Sequence, residues 1–279
     1  MEERGLAPAG VAVCVLVTVL AGACGPRPAA PALRTAHRVE YRLDWVWERA
    51  TATSDGAAWE VVNDLGYRVR VTRGYVVSYS MELVECPKER TPISVGSLGR
   101  LPRSIFESTA FAGHASGTPN PAAIHPMQVE SLTAPRARDA GTATLAPQTY
   151  CQLHYLVGRA SRDAAGLPPD LDMVDTSLHI DGTYVAPGAS TTVPFVIHTA
   201  AAYGALFDHA AHMPAIRVDT GSNGARVVVR RHLGSIFDGV DFAQMRPPVM
   251  ASQTLKALID HVDVQIDLVS EDHRETLHQ

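Results

Sequence analysis

Alternation of apolar and polar residues constrains this fold more than any other feature of the sequence. In the segment Arg38–Trp47, RVEYRLDWVW, apolar side chains occupy every second position, and polar or charged residues lie between them. Successive side chains of a β-strand point to opposite faces, so this period of two predicts a strand with one buried face. The predicted buried face consists of Val39, Tyr41, Leu43, Trp45 and Trp47.

Similar runs recur along the chain and indicate its fold class. Two of them flank Arg73-Gly74, and the second is rich in aromatic and β-branched residues, which predicts a central strand. Many short strands with few helices predict an all-β fold, an antiparallel β-sandwich. The other predicted strands are Trp59–Val62, Tyr67–Thr72, Tyr75–Leu83, Tyr150–Val157, Leu178–Ile180, Thr192–His198, Ile216–Val218, Val227–Val229 and Asp263–Leu268.

Other segments predict the loops and helices of the sandwich. Residues 87–141 hold repeated prolines and glycines and predict a long irregular loop. Ser222–Gly224, between two predicted strands, is a hairpin signal. The apolar spacing of Leu233–Val240 and of Leu255–Val262 predicts one or two short C-terminal helices, the second with Ser252 as its N-cap.

The N-terminal residues indicate export. The apolar run Val11–Ala23 has the length of a signal-peptide core and is too short to cross a bilayer as a helix. Cys24 follows directly, which predicts a lipoprotein that is lipidated at Cys24 and held at the periplasmic side of a membrane or at the cell surface. Cleavage after Ala21-Gly22-Ala23 with simple secretion is one alternative, and a buried N-terminal helix is another.

Export defines the predicted domain organisation. Residues 1–24 form a signal peptide, and residues 25–36 form a Pro/Ala-rich tether that is stiff and extended. Residues 37–270 form the β-sandwich domain, and residues 271–279 form a polar tail.

The charge balance excludes one class of partner. The chain has 24 Lys and Arg against 29 Asp and Glu, a net charge of −5, whereas nucleic-acid binding needs clustered positive charge. Hydrophobic residues make up 46% of the sequence, which is enough for a sizeable core. The predicted partners are a membrane, through the lipid anchor, and a protein, but no nucleic acid.

Cysteine usage agrees with export. Cys14 lies in the leader and Cys24 is the lipidation site, so Cys86 and Cys151 remain. In an oxidising compartment such a pair predicts one disulfide, which would close a loop of roughly 65 residues and contribute about 4 kcal/mol. Two separate buried thiols are the alternative.

Histidine is abundant, with 12 residues, and neutral imidazole is a common ligand of zinc and copper. His114 and His125 flank a proline-rich turn in the long loop. His209 and His212 are three positions apart, which would place them on one side of a helix if that segment is helical. Both pairs are therefore candidate metal ligands, and hydrogen-bonded surface histidines are the alternative interpretation.

Three further histidines lie opposite apolar strand faces. They are His154, His179 and His198, and their imidazoles would converge if their strands are neighbours. The predicted metal ligands are His114, His125, His154, His179, His209 and His212.

Motifs of specific catalytic chemistry are missing from the sequence. It contains no Gly-x-Ser-x-Gly, no phosphate-binding glycine loop and no His-Glu-x-x-His. We therefore predict a protein that is not an enzyme and has no catalytic residues.

Three segments carry a resemblance to a known family: Tyr67–Leu83, Tyr150–Val157, and Val227–Phe242 with its sequence FDGVDF. In these segments, and in the order of its elements across much of residues 38–268, the chain resembles the methanobactin-associated (MbnP-like) periplasmic copper-binding proteins. The resemblance implies copper held by histidines, in some members beside an oxidised tryptophan. It assigns no individual ligand in this chain.

These features predict a non-enzymatic, membrane-anchored β-sandwich lipoprotein that binds copper or zinc through histidines. The alternative is a surface lipoprotein without a metal, with a structural or partner-binding role, which the long loop and the lack of a strong ligand motif support.

Overall fold

Strands dominate the computed structural model, which describes residues 34–35, 38–86, 122–146, 148–208, 216–217 and 224–269. The strands are Arg34–Thr35 (β1), Arg38–Val46 (β2), Thr51–Ala52 (β3), Trp59–Val62 (β4), Arg68–Glu85 (β5), Ala123–Ile124 (β6), Gln128–Ser131 (β7), Arg138–Thr144 (β8), Thr149–Val157 (β9), Leu178–Val185 (β10), Thr192–Thr199 (β11), Tyr203–Asp208 (β12), Ile216–Arg217 (β13), Gly224–His232 (β14) and Asp263–Val269 (β15). The helical elements are a 3₁₀ turn, Leu233–Ser235, and the α-helix Pro247–Asp260 (α1).

Two sheets are formed by these strands. The larger has 11 strands, with the main order β1-β13-β9-β5-β10-β11, and the smaller has 4 strands in the order β15-β14-β2-β8. The pairs β1–β13 and β2–β14 are parallel. The predicted all-β, sandwich-like fold is confirmed, and its sheets are mixed because these parallel pairs join antiparallel ones.

The inner faces of the two sheets share one hydrophobic core. Val39, Tyr41 and Leu43 of β2 are buried against apolar side chains of the larger sheet, as the alternation predicts. The Tyr41 hydroxyl donates a hydrogen bond to the Ala122 carbonyl oxygen at 2.9 Å. Trp47 departs from the prediction, because β2 ends at Val46 and the Trp47 side chain is 37% exposed.

The long strand β5 organises the larger sheet. It has 18 residues and runs without a break through Arg73-Gly74, where two separate runs were predicted. Its first half pairs with β10 and its second half with β9, and the two partners meet at Val77. There the Val77 N–H donates to Ser177 O, and Val77 O accepts from Gly158 N–H. Residues of β10 and β9 can therefore be located relative to one another by the residues of β5 that they pair with.

Strand structure extends into the range predicted as an irregular loop. Within 87–141, residues 87–121 lie outside the described part of the chain, but β6, β7 and the start of β8 follow. β6 and β7 pair with β5, and β8 pairs with β2. Their sequences are short and lie near Pro126 and Pro135, so the local pattern is weak. Pairing with long strands elsewhere in the chain determines their conformation.

The predicted hairpin at Ser222–Gly224 is wrong. β13 pairs with β9 and β1 in the larger sheet, whereas β14 pairs with β15 and β2 in the smaller one. A hairpin requires two strands that pair with each other, whereas β13 and β14 belong to different sheets.

The C-terminal helix begins earlier than predicted. α1 starts at Pro247, after the extended residue Arg246, and Ser252 lies inside it with its hydroxyl donating to Pro248 O at 3.1 Å. Proline suits a first helical position because its missing N–H has no partner there in any case. Leu233–Val240 contributes only the 3₁₀ turn, and the predicted closing strand is confirmed as β15. Among the described residues, no helix combines the length and apolar character needed to cross a membrane.

The predicted cysteine pair is confirmed. Cys86 follows the end of β5 and Cys151 lies in β9, and their Sγ atoms are at disulfide distance. Their Cα atoms are 4.7 Å apart, within the range for a disulfide. The bond therefore joins the end of the longest strand to its neighbour in the sheet.

Candidate functional site

Two histidines, the predicted ligand His179 and also His198, which is not among the predicted ligands, meet on the outer face of the larger sheet. His179 of β10 and His198 of β11 lie directly opposite each other in the antiparallel register. Their Nδ1 atoms are 3.5 Å apart, and their ring planes are inclined by 71°. His179 is buried, with 8% of its surface exposed, whereas His198 is exposed to solvent.

Asp181 holds the His179 ring in place. It lies two residues further along β10, hence on the same face, and its Oδ1 is 3.0 Å from His179 Nε2. A carboxylate at this distance favours the tautomer in which Nε2–H donates to Asp181. The lone pair of His179 Nδ1 then points towards His198.

Arg73 in turn holds Asp181. Its Nε lies 2.6 Å and its Nη2 2.5 Å from Asp181 Oδ2, because the two residues are opposite each other on β5 and β10. Burial alone would raise the pKa of Asp181, but the hydrogen bonds from Arg73 and His179 outweigh it and lower the pKa. The carboxylate is therefore charged at neutral pH.

A shallow cavity adjoins this cluster. Residues 167–174 line this open cavity of about 410 Å³, and Asp170 is one of the lining residues. Asp170 Oδ2 is 3.6 Å from Arg73 Nη1, and the Tyr75 hydroxyl donates to Asp170 Oδ1 at 3.4 Å. Arg73 thus lies between two carboxylates, one beside the histidines and one beside the cavity.

The predicted ligands other than His179 lie apart from this pair or outside the described residues. His154 of β9 is opposite Glu82 on β5, whereas His179 is opposite Tyr75. Seven positions along a strand correspond to roughly 20 Å, so His154 does not converge with the other two. Its pKa is lowered, mainly by burial.

Among the remaining candidates, His125 is exposed, and its ring centroid is 6.1 Å from that of Tyr79. The last three predicted ligands fall outside the described part of the chain; they are His114, His209 and His212.

The spacing of His179 and His198 suits a metal ion. Two nitrogen ligands at about 2.0–2.1 Å from a tetrahedral ion are about 3.4 Å apart, close to the observed 3.5 Å. A carboxylate bonded to the second nitrogen of a ligating histidine is a frequent outer partner in such sites, which is the position of Asp181. Within the described ranges, no three His, Cys, Asp or Glu side chains are grouped to hold a metal. The described chain thus offers two imidazoles and leaves other coordination positions open.

A second polar cluster, which is not among the predicted site residues, is buried between the sheets. Arg231 of β14 and Glu130 of β7 are 0% and 2% exposed, and Arg231 Nη2 donates to Glu130 Oε2 at 2.8 Å. The Ser78 hydroxyl donates to Glu130 at 2.7 Å, and Trp45 Nε1 donates to it at 3.2 Å. The Arg231 guanidinium also lies 4.0 Å from the Trp45 ring centroid.

A sequence signal for this cluster exists. Arg231 continues the inward-facing series of Val227 and Val229 at a spacing of two, so a charged residue occupies a core position. A buried cation needs a buried anion, which Glu130 supplies from the other sheet. Because the described groups satisfy one another's charges and hydrogen bonds, the cluster is a structural connection between the sheets.

Comparison with known proteins gives no relative: the chain matches no family model, and neither the curated proteins nor the solved structures provide a match.

Proposed function

We propose that this protein is a membrane-anchored lipoprotein whose β-sandwich binds a transition-metal ion through His179 and His198. The observation that carries the proposal is the 3.5 Å separation of the two Nδ1 atoms, with Asp181 bonded to the far nitrogen of His179. Imidazole ligands suit zinc and copper, and these are the two candidate ions. The MbnP-like resemblance favours copper and stays a prediction.

The role of Asp181 follows from its two contacts. Asp181 orients the His179 ring and makes its Nδ1 a better ligand for a cation. Arg73 holds the Asp181 carboxylate, which would keep it from turning towards the metal. The protein then captures an ion without transforming a substrate, and no catalytic residue is needed.

The proposal predicts a specific order of metal affinities. His198→Ala should abolish the high-affinity binding of Zn²⁺ or Cu²⁺ measured by calorimetry on the purified chain. Asp181→Asn should weaken binding by about 10- to 100-fold, because the outer partner of the ligand is lost.

His154→Ala is the matched control, since His154 lies on the same sheet but its strand, β9, pairs with β5 far from the His179–His198 pair. It should bind metal as the wild type does. Equal loss in His154→Ala and His198→Ala would contradict a site at His179 and His198. Wild-type protein that binds neither ion would favour the alternative, a structural or partner-binding surface lipoprotein.

The membrane anchor is a separate part of the proposal. Cys24 follows an apolar run typical of a signal peptide, and a proline-rich tether follows Cys24. Several acyl chains are required for stable attachment, as in bacterial lipoproteins. Recovery of the chain wholly in the soluble fraction, without lipid, would contradict the anchor and leave the metal site untouched.

A further inference from the structure

We propose that two copies of this chain share one metal ion, with His179 and His198 of each copy as its four ligands. The inference rests on the proposed metal binding and adds an oligomeric partner to it. A closed zinc site has four ligands, whereas the described chain groups two imidazoles and no third side chain of the ligand types. A copy related by a two-fold axis supplies the same two imidazoles and completes the set.

The position of the pair allows a second copy to approach. β11 is the last strand of the larger sheet, and its inner residues Phe195 and Ile197 are buried in the core to which α1 contributes. The opposite face carries Val196 and His198, two residues apart and both exposed. Val196 is 54% exposed, so an apolar side chain lies next to the proposed ligand on the open face.

Charge also favours two copies around one divalent ion. Strand Thr192–Thr199 contains no Lys, Arg, Asp or Glu, so two such strands can approach without like-charge repulsion. Arg73 lies between Asp181 and Asp170, which gives this group of three a formal charge of −1 in each copy. Two copies contribute −2, which balances the +2 charge of a metal held by neutral imidazoles.

The test measures mass and metal content together on the purified full chain. With Zn²⁺, light scattering should give a dimer that contains one zinc per two chains, and with EDTA it should give a monomer. His198→Ala should remain a monomer without zinc.

Val196→Gln should retain zinc but raise the dimer dissociation constant by about tenfold or more, because two valine side chains lose their burial. Val62→Gln is its matched control, as Val62 is 55% exposed on β4, and it should dimerise normally.

The outcomes separate the two proposals. A wild-type monomer with one zinc per chain would overturn the shared site and leave metal binding intact. A chain that binds neither zinc nor copper would overturn both proposals. A dimer that persists in EDTA would overturn metal bridging and indicate direct pairing of the chains.

Discussion

Arg231→Met is expected to lower the free energy of unfolding by about 3–5 kcal/mol, measured by urea denaturation. The substitution keeps an unbranched side chain in the core but leaves the Glu130 carboxylate without its cation. Glu130 is 2% exposed, so water cannot replace the guanidinium. An unpaired buried charge is among the few single changes that cost this much.

Arg226→Met is the matched control for this prediction. Arg226 is on the same strand and pairs with Glu40 at 3.1 Å, but the two side chains are 42% and 31% exposed. Solvent-exposed pairs contribute about 1 kcal/mol or less, so the expected loss is small. The double variant Arg231→Met/Glu130→Met should lose less than Arg231→Met alone, because both charges are removed. Similar losses in Arg231→Met and Arg226→Met would contradict a buried, structurally required pair.

The pH dependence of the unfolding free energy is an independent test of the same Arg231–Glu130 pair. Burial alone would raise the pKa of Glu130, but the charge and hydrogen bonds of Arg231, together with the hydrogen bonds from Ser78 and Trp45, lower this pKa below its ordinary value. A group with a depressed folded-state pKa contributes stability above its unfolded pKa and loses it as the pH falls through the folded value. Unfolding free energies measured from about pH 6 down to pH 2 should therefore fall less steeply in Glu130→Gln than in the wild type.

Replacing the disulfide, as Cys86→Ala with Cys151→Ala, is expected to cost about 4 kcal/mol of stability. The bond closes a loop with a sequence separation of 65 residues, and its loss increases the conformational entropy of the unfolded chain. Urea denaturation under oxidising conditions measures the difference.

Reductant is the control for this variant. It should lower the stability of the wild type towards that of the double variant and leave the variant unchanged. A loss below about 1 kcal/mol, or an effect of reductant on the variant, would contradict the assignment of this stability to the bond.

The period of two was the most reliable sequence signal, because burial of one face imposes it directly. It predicted β2, β4 and β9 well, and it placed His179 and His198 opposite apolar faces. It could not predict that the two imidazoles meet, because the register of β10 against β11 depends on the turn between Val185 and Thr192. It also gave no reason to separate His154, whose position depends on which half of β5 its strand pairs with.

Partner strands distant in sequence account for most of the other differences. β6 and β7 have little alternation of their own, and they are strands because β5 offers them free backbone groups. The hairpin signal at Ser222–Gly224 was overridden because β14 inserts between β2 and β15. The role of Arg231 could not be predicted from its own strand, because its buried anion, Glu130, comes from the other sheet.

The parallel pairing of β2 with β14 has a consequence for the order in which the chain folds. Val39 lies opposite Ala225, far later in the chain, so the ladder of β2 stays incomplete until β14 has been synthesised. Such non-local pairings carry a large loop-closure cost and slow folding. During that wait β2 has an unpaired side that other chains can reach. The smaller sheet is therefore open to contacts with other chains until β14 has been synthesised.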